Sequence, residues 1–448
     1  MLNSGSPHPI EEPVVAPTAP RDARPGVRVR REWLRNVVTF AMVFGPGLIV
    51  MEADNDAGAV STYTQAGAQY GTHLLWLMLL LLPICYFIQE MVARLGIATG
   101  QGHAAMIYHR FGKWWGRFSL ADLLLLNFLT LVTEFAAISL ATARLGMSPK
   151  ITVPIVALAV IMHVMSGSYR RWERITIVLC LLDITWLVVA VVAHRAGGDS
   201  LIHNAVVPHA PPGGVTPGLT FLVIAIVGTT IAPWQLFFQQ SAVADKRLRF
   251  SDVKWARLDT LIGAAFTIVV GSCMIVAGDA LYRNHIRYTD PAQMAVALGP
   301  VLGPFVKNAT LLLMMNAAVL GTIAISLASA WAYGEVRGWP HSLEKTVRQA
   351  PGFYGVYVIS VGVAAAVVLI PNAPLQIIIL GVQVLAGVML PSAIIFLQLL
   401  LNDRELLGDE WVNTPWNNAV NWTIIIALFA LSLVLAAQVV LPNVLRNP

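Results

Sequence analysis

The chain has 448 residues, 57% of them apolar and 12% charged, about half the charged share of an ordinary soluble domain. That excludes a soluble globule. Its 29 Lys and Arg against 24 Asp and Glu leave a net charge of +5, too modest to mark a nucleic-acid surface on a chain this long.

The first 36 residues carry six prolines and an Arg-rich stretch, with no apolar run that could act as a cleavable signal. They are expected to form a disordered basic tail in the cytoplasm. Eleven mostly apolar runs follow, near 37–68, 73–99, 118–143, 151–167, 174–194, 218–243, 257–282, 306–333, 353–371, 375–401 and 420–441. As helices, runs of this length cross a hydrocarbon core ~30 Å thick. With the N-terminus inside, 22 of the Lys and Arg fall on inner segments and 7 on outer ones, the bias that cytoplasmic loops show. The chain therefore reads as an all-α polytopic membrane protein in three parts. These are the tail (1–36), a ten-helix core (37–402), and a stretch (403–448) holding a cytoplasmic loop, an eleventh helix and a short external tail. Cys85, Cys180 and Cys273 each fall alone in an apolar run and read as small core residues, since no disulfide or zinc spacing is present.

Two spans are unlike the rest. The first places Glu52, Asp54, Asn55 and Asp56 at mid-depth, and the sixth carries Pro233 at its centre, where the missing N–H breaks the helical ladder. Both are expected to be interrupted helices. They lie five spans apart, and an odd number of helices per unit inverts the second unit, the arrangement of inverted-repeat transporters with a midplane site. The eleventh helix is an addition outside the repeat pair.

An ionised carboxylate at mid-bilayer costs several kcal/mol on the order of insertion scales, and no Lys or Arg lies at mid-depth to offset Asp56. A cation site answers this need; a protonated or paired acid packed between helices is the plainer alternative. Where a helix stops in the membrane, its last carbonyls present oxygen ligands to a cation. The carbonyls near Ala53 and from Thr229 to Ile231 are the candidates, and with Asp56 they make a hard, all-oxygen site suited to a small divalent ion. Asn127, Asp183 and Asn316 read as interhelical polar contacts. Gln235, Gln239 and Gln240 either line a water-filled route or bond the broken backbone. His103, His109, His203, His209, His285 and His341 are expected in solvated loops, and most of the thirteen tryptophans at the interfaces.

Several motifs together resemble the NRAMP divalent-metal transporters: Gly45-Pro46-Gly47, Asp56-Ala57-Gly58, Gln65-Ala66-Gly67, and above all Leu95-Gly96-Ile97-Ala98-Thr99-Gly100 after Gln89. The likeness continues through Thr133-Glu134, residues 228–241, and Gln383-Val384 up to Leu390-Pro391, across all ten core helices. It implies a LeuT-like inverted repeat of 5+5 transmembrane helices with the first and sixth broken. It also implies a metal site at Asp56, Ala53, Thr229 and Gln383, with Ala59, Ala232 and Gln235 at positions where the family keeps ligands.

The departures carry information. The family's Asp-Pro-Gly-Asn is here Asp56-Ala57-Gly58-Ala59, and its Met-Pro-His-Asn is Ala232-Pro233-Trp234-Gln235. Loss of a thioether removes the ligand that favours softer metals over Mg²⁺, and two alanines leave room for an ion that keeps part of its water. These are features of the NRAMP-related magnesium transporters. Trp234 cannot titrate where the family has histidine, and Thr133-Glu134-Phe135-Ala136-Ala137 retains one acid where the family has two. Glu134, Trp234, Asp54 and Asn55 are accordingly the candidate coupling or access residues.

The expectation is a monomeric permease in the inner membrane of a bacterium. It would import Mg²⁺ and also Mn²⁺ without proton coupling, with no cofactor beyond the transported ion and no partner beyond metal and lipid. A proton-coupled Mn²⁺ or Fe²⁺ importer is the alternative within the family. An intramembrane aspartyl hydrolase needs two acids face to face from different helices, and a receptor would bind metal without flux; neither reading has a motif of its own.

Overall fold

The computed structural model describes residues 35–195, 200–370 and 375–440, so most of the basic tail and the C-terminal tail expected outside the cell lie outside the described residues. The chain divides into two units, Met1–Met42 and Val43–Pro448. The described part of the first is helical, within α1 (Arg35–Val43).

In the second unit, Gly45 opens α2 (Pro46–Ala53), and α3 (Ala57–Tyr70), α4 (Leu75–Thr99), α5 (His103–Arg144), α6 (Pro149–Val164), α7 (Tyr169–Leu182) and α8 (Thr185–Arg195) follow. A short α9 (Leu201–Val206) leads to α10 (Pro217–Thr230), α11 (Pro233–Asp245) and α12 (Val253–Arg283). Then come α13 (Pro291–Leu302), α14 (Pro304–Arg337), α15 (Pro351–Val368), α16 (Leu375–Leu400), α17 (Arg404–Trp411) and α18 (Pro415–Val440).

Each of the eleven expected spans corresponds to one or more of these helices, with differences that have physical causes. Nine helical stretches among the described residues are long and apolar enough to cross a membrane, with α7–α8 and α10–α11 each taken as one stretch. The first span falls short because it is cut into pieces, and the fourth because α6 has 16 residues, about 24 Å at 1.5 Å per residue. The third span starts earlier than expected, at His103, and bends at Gly112, whose φ of 88° is not helical. The fifth is also interrupted, at Asp183 between α7 and α8, a break that hydropathy alone concealed.

Both expected mid-span breaks are present, between Ala53 and Ala57 and between Thr230 and Pro233. α12 packs along α2, α3 and α4, while α5 packs on α14, α15 and α16. The α3–α12 contact is close enough that a Cβ on Gly67 would strike the Ile275 carbonyl, and one on Gly278 the Thr64 carbonyl. Small residues replace apolar burial as the means of holding helices together in lipid. Outward faces are apolar: Ile151, Ile155, Leu158 and Met162 form one exposed stripe on α6, and Trp422, Ile426, Phe429 and Leu433 another on α18. Their i, i+4, i+7, i+11 spacing puts each set on one helix face, where a bilayer would solvate it.

Asn127 donates to the Ser329 hydroxyl (2.9 Å), and Asn316 to Asp183 (3.0 Å), as expected of interhelical contacts. His103 corrects an expectation. It is fully buried at the start of α5, with Nδ1 2.8 Å from Gln240 Oε1 and its ring edge-on to Phe237, because α5 begins further upstream than the apolar run suggested.

Candidate metal-ion site

The two breaks are built differently. At the first, Asp56 is the N-cap of α3, and its Oδ1 accepts the Ala59 N–H at 2.9 Å, so the side chain itself restarts the helix. At the second, Ile231 leaves helical geometry at φ −137°, ψ 78°, and Pro233 opens α11, where its lack of an N–H costs nothing.

Each break removes the donor from a particular carbonyl. An intact helix would satisfy the Ala53 carbonyl with the N–H of Ala57, but that N–H donates instead to Glu134 Oε2 at 3.1 Å. The Thr229 carbonyl would look to residue 233, which is proline and has no N–H to give. The neighbouring Thr230 carbonyl accepts the Cys85 thiol at 3.5 Å. Of the carbonyls expected to be left over, those of Ala53 and Thr229 thus have a usual donor that has gone elsewhere or does not exist, and that of Ile231 loses the Gln235 N–H to Ala232 at 3.1 Å.

Asp56 lies against α5 and α14. A Cβ on Gly321 would come within 2.8 Å of the Glu134 carboxyl and 2.9 Å of Asp56 Cβ, so the two acids meet over a residue that has no side chain. Gln383 of α16 completes this wall: its amide nitrogen occupies the space a side chain on Gly58 would need, and Nε2 has no hydrogen-bond partner. All these groups are buried, Asp56 at 2% exposure and Glu134 at 0%. Among the described residues no Lys or Arg pairs with Asp56, Glu134 or Asp54, and the ion pairs join other residues, such as Lys246 with Glu173 and Arg257 with Glu90.

The other expected residues divide into groups. Ala59 and Ala232 are buried at the breaks, the first in the opening turn of α3 and the second at the N-cap of α11. Gln235 turns toward Asp54 and accepts the Gln89 amide at 2.8 Å. Asn55 points elsewhere: its amide donates to the Thr267 carbonyl at 3.3 Å and reaches Glu52 at 3.5 Å, pinning the break onto α12. Trp234 stands in an aromatic series with Phe238 (6.1 Å) and, through it, Trp331 (5.5 Å).

Tyr63, Cys85 and Gln89 are neighbours of the site that sequence reasoning did not select. Tyr63 Oη is 2.7 Å from Thr230 Oγ1 and ties α3 to the end of α10. It lies seven residues after Asp56, two helical turns along one face, and that spacing was available to find it. Cys85 and Gln89 share a face of α4 at i, i+4. No group of three or more His, Cys, Asp or Glu gathers among the described residues. The groups near the two breaks are two carboxyls, Asp56 and Glu134, backbone carbonyls without their usual donors, and the Gln383 amide; oxygen atoms of these kinds suit hard cations.

Comparison with known proteins agrees with this architecture. A Staphylococcus aureus protein (strain bovine RF122 / ET3-1) named divalent metal cation transporter MntH is 25% identical over 432 residues, 90% of this chain and 92% of that one. The solved structure of an Eremococcus coleocola manganese transporter, in complex with an aromatic bis-isothiourea compound, superposes with a TM-score of 0.70 at 19% identity, covering 92% of this chain and 89% of its own. MhsT in complex with L-phenylalanine superposes at 0.56 with 14% identity over 88% of this chain and 98% of its own, the same LeuT-like fold at greater distance. Residues 47–438 match the model of the Nramp family, described as natural resistance-associated macrophage protein-like, and the chain belongs to that family.

Proposed function

We propose that the chain is a permease that admits divalent metal ions, Mg²⁺ first and Mn²⁺ as well, with the N-terminus in the cytoplasm of a bacterial cell and without proton coupling. The observation that carries this is that the two breaks take away the usual donors of the Ala53 and Thr229 carbonyls, while Asp56 at the first break pairs with no Lys or Arg among the described residues. The named activities of the S. aureus and E. coleocola relatives support divalent-metal transport.

The preference for Mg²⁺ follows from donor chemistry. Ala232 supplies no sulfur at the α11 break, and the oxygen donors that remain rank Mg²⁺ higher than a thioether would. The absence of coupling follows from Trp234 and from energetics. A doubly charged ion moving inward gains about 4.6 kcal/mol per 100 mV, twice the single-charge value, so the membrane potential suffices. Alternating access comes from rocking of the broken helices with their partners against the remaining spans. The contact between Glu134 and Asp56 favours the second reading, a proton-coupled Mn²⁺ importer.

Proteoliposomes loaded with a metal dye and a pH dye, under a clamped voltage, separate the two. Mg²⁺ is expected to compete with Mn²⁺ for uptake with no internal acidification; failure to compete, or acidification accompanying uptake, overturns the proposal. In the same assay Ala232→Met should raise uptake of Mn²⁺ or Cd²⁺ relative to Mg²⁺ by about tenfold, the effect of restoring a soft donor.

A further inference from the structure

Two carboxyls two residues apart leave the first break in different directions. Asp56 meets Glu134 on α5 and Gly321 on α14. Asp54 faces the Gln235 amide of α11. It is fully buried, and apart from that amide neither of its carboxyl oxygens has a hydrogen-bond partner. Gln89 and Gln235 bond each other at 2.8 Å, which leaves Gln89 Oε1 buried and unpartnered and Gln235 Nε2 with no partner but Asp54. One turn before Gln89 on the same face of α4, the Cys85 thiol donates to the Thr230 carbonyl at 3.5 Å, and the Tyr63 hydroxyl closes the far side on Thr230 Oγ1. A buried acid without a charged partner is costly, and here it borders partly unsatisfied amides and a thiol instead of a cationic side chain.

We propose that Asp54, Cys85, Gln89 and Gln235 form a second cation subsite, distinct from the one at Asp56, that takes divalent ions with affinity for sulfur. The inference rests on the reading of the chain as a carrier of divalent ions and adds a soft donor that its α11 break lacks. A hard ion uses the Asp54 carboxylate and the Gln89 oxygen with its own water. A thiophilic ion such as Cd²⁺ also bonds Cys85: the S–H bond breaks, one metal–sulfur bond forms, and one proton passes to the buffer. The subsite thus sorts ions by softness on the α4 side of the break, while Asp56 presents oxygen alone.

The test titrates CdCl₂ into the purified full chain in a Cys180→Ala, Cys273→Ala background, where Cys85 is the one thiol. The ultraviolet charge-transfer absorption of a Cd–thiolate bond is the readout, with MgCl₂ as control. The absorption should grow with Cd²⁺ but not with Mg²⁺, release one proton per bond, and vanish in Cys85→Ser. Asp54→Asn should weaken Cd²⁺ at least tenfold, and Gln89→Leu about threefold should Asp54→Asn fail to fold. Asp56→Asn should leave the absorption in place. Absence of the absorption in the parent, or a Cd²⁺ affinity unchanged by both Asp54→Asn and Gln89→Leu, overturns the subsite. Failure of the transport reading shows separately, as absence of Mg²⁺ and Mn²⁺ uptake by the unsubstituted chain in proteoliposomes.

Discussion

At the scale of the residue, Asp56 does two things at once: it restarts a helix through the Ala59 N–H and presents a carboxyl where the described structure offers no cationic partner. Asparagine keeps the first property, since it caps helices as well as aspartate does, and removes the charge. Asp56→Asn should therefore fold, as judged by thermal unfolding in detergent, yet lose at least 100-fold in initial uptake of Mg²⁺ or Mn²⁺. Glu134→Ala should be worse for folding than Glu134→Gln, because Glu134 accepts the Ala57 N–H that the break has diverted, and a buried donor left without a partner costs about 1–3 kcal/mol. Asp56 and the carbonyl candidates were legible in the sequence because composition alone makes a mid-span acid conspicuous. Tyr63, Cys85 and Gln89 were not, because a tyrosine, a cysteine or a glutamine in an apolar run has many uses, and only the packing of α4 and α10 shows which one applies.

At the scale of the element, a broken helix works only if its halves are held. Pro233 withholds an N–H, and the Tyr63 hydroxyl holds the end of α10. Pro233→Ala gives the Thr229 carbonyl a donor again; the expected outcome is a continuous, more stable sixth span with uptake reduced tenfold or more, read by transport beside thermal unfolding. Tyr63→Phe leaves Thr230 Oγ1 its bond to the Ile226 carbonyl (2.5 Å), so the expected loss of stability is about 1 kcal/mol, that of one hydrogen bond. Both mid-span breaks were readable, since proline and clustered acids are conspicuous in apolar runs. The break in the fifth span was not, because one aspartate between aliphatic runs leaves the hydropathy high, and its contact with Asn316 is made only in three dimensions. The true start of α5 escaped for a similar reason: its first turns are amphipathic, and they bury His103 against α11.

At the scale of the whole molecule, the first break holds Glu52, Asp54 and Asp56 and meets Glu134 of α5, and among the described residues no Lys or Arg pairs with Asp54, Asp56 or Glu134, so a passing dication is itself the missing positive charge. If nothing else moves with it, equilibrium accumulation should change tenfold for every ~30 mV of potential, from 4.6 kcal/mol per 100 mV and 1.36 kcal/mol per decade. A shallower slope, measured with a valinomycin-clamped gradient, would indicate a counter-ion. The fold as a whole was legible because the distribution of Lys and Arg, the two breaks and their five-span separation agree with one another. The docking of α9, α13 and α17 was not, since helices of 6, 12 and 8 residues are too short to leave a clear periodic signature.

The brevity of α6 has a consequence for the surrounding lipid. A helix of 16 residues with an aliphatic stripe facing outward matches a thin bilayer, and a thicker one must either pinch inward around it or leave its ends submerged. Reconstitution across a series of phosphatidylcholines of increasing acyl length should therefore slow transport progressively, which makes membrane thickness a control on turnover that no ligand needs to exert.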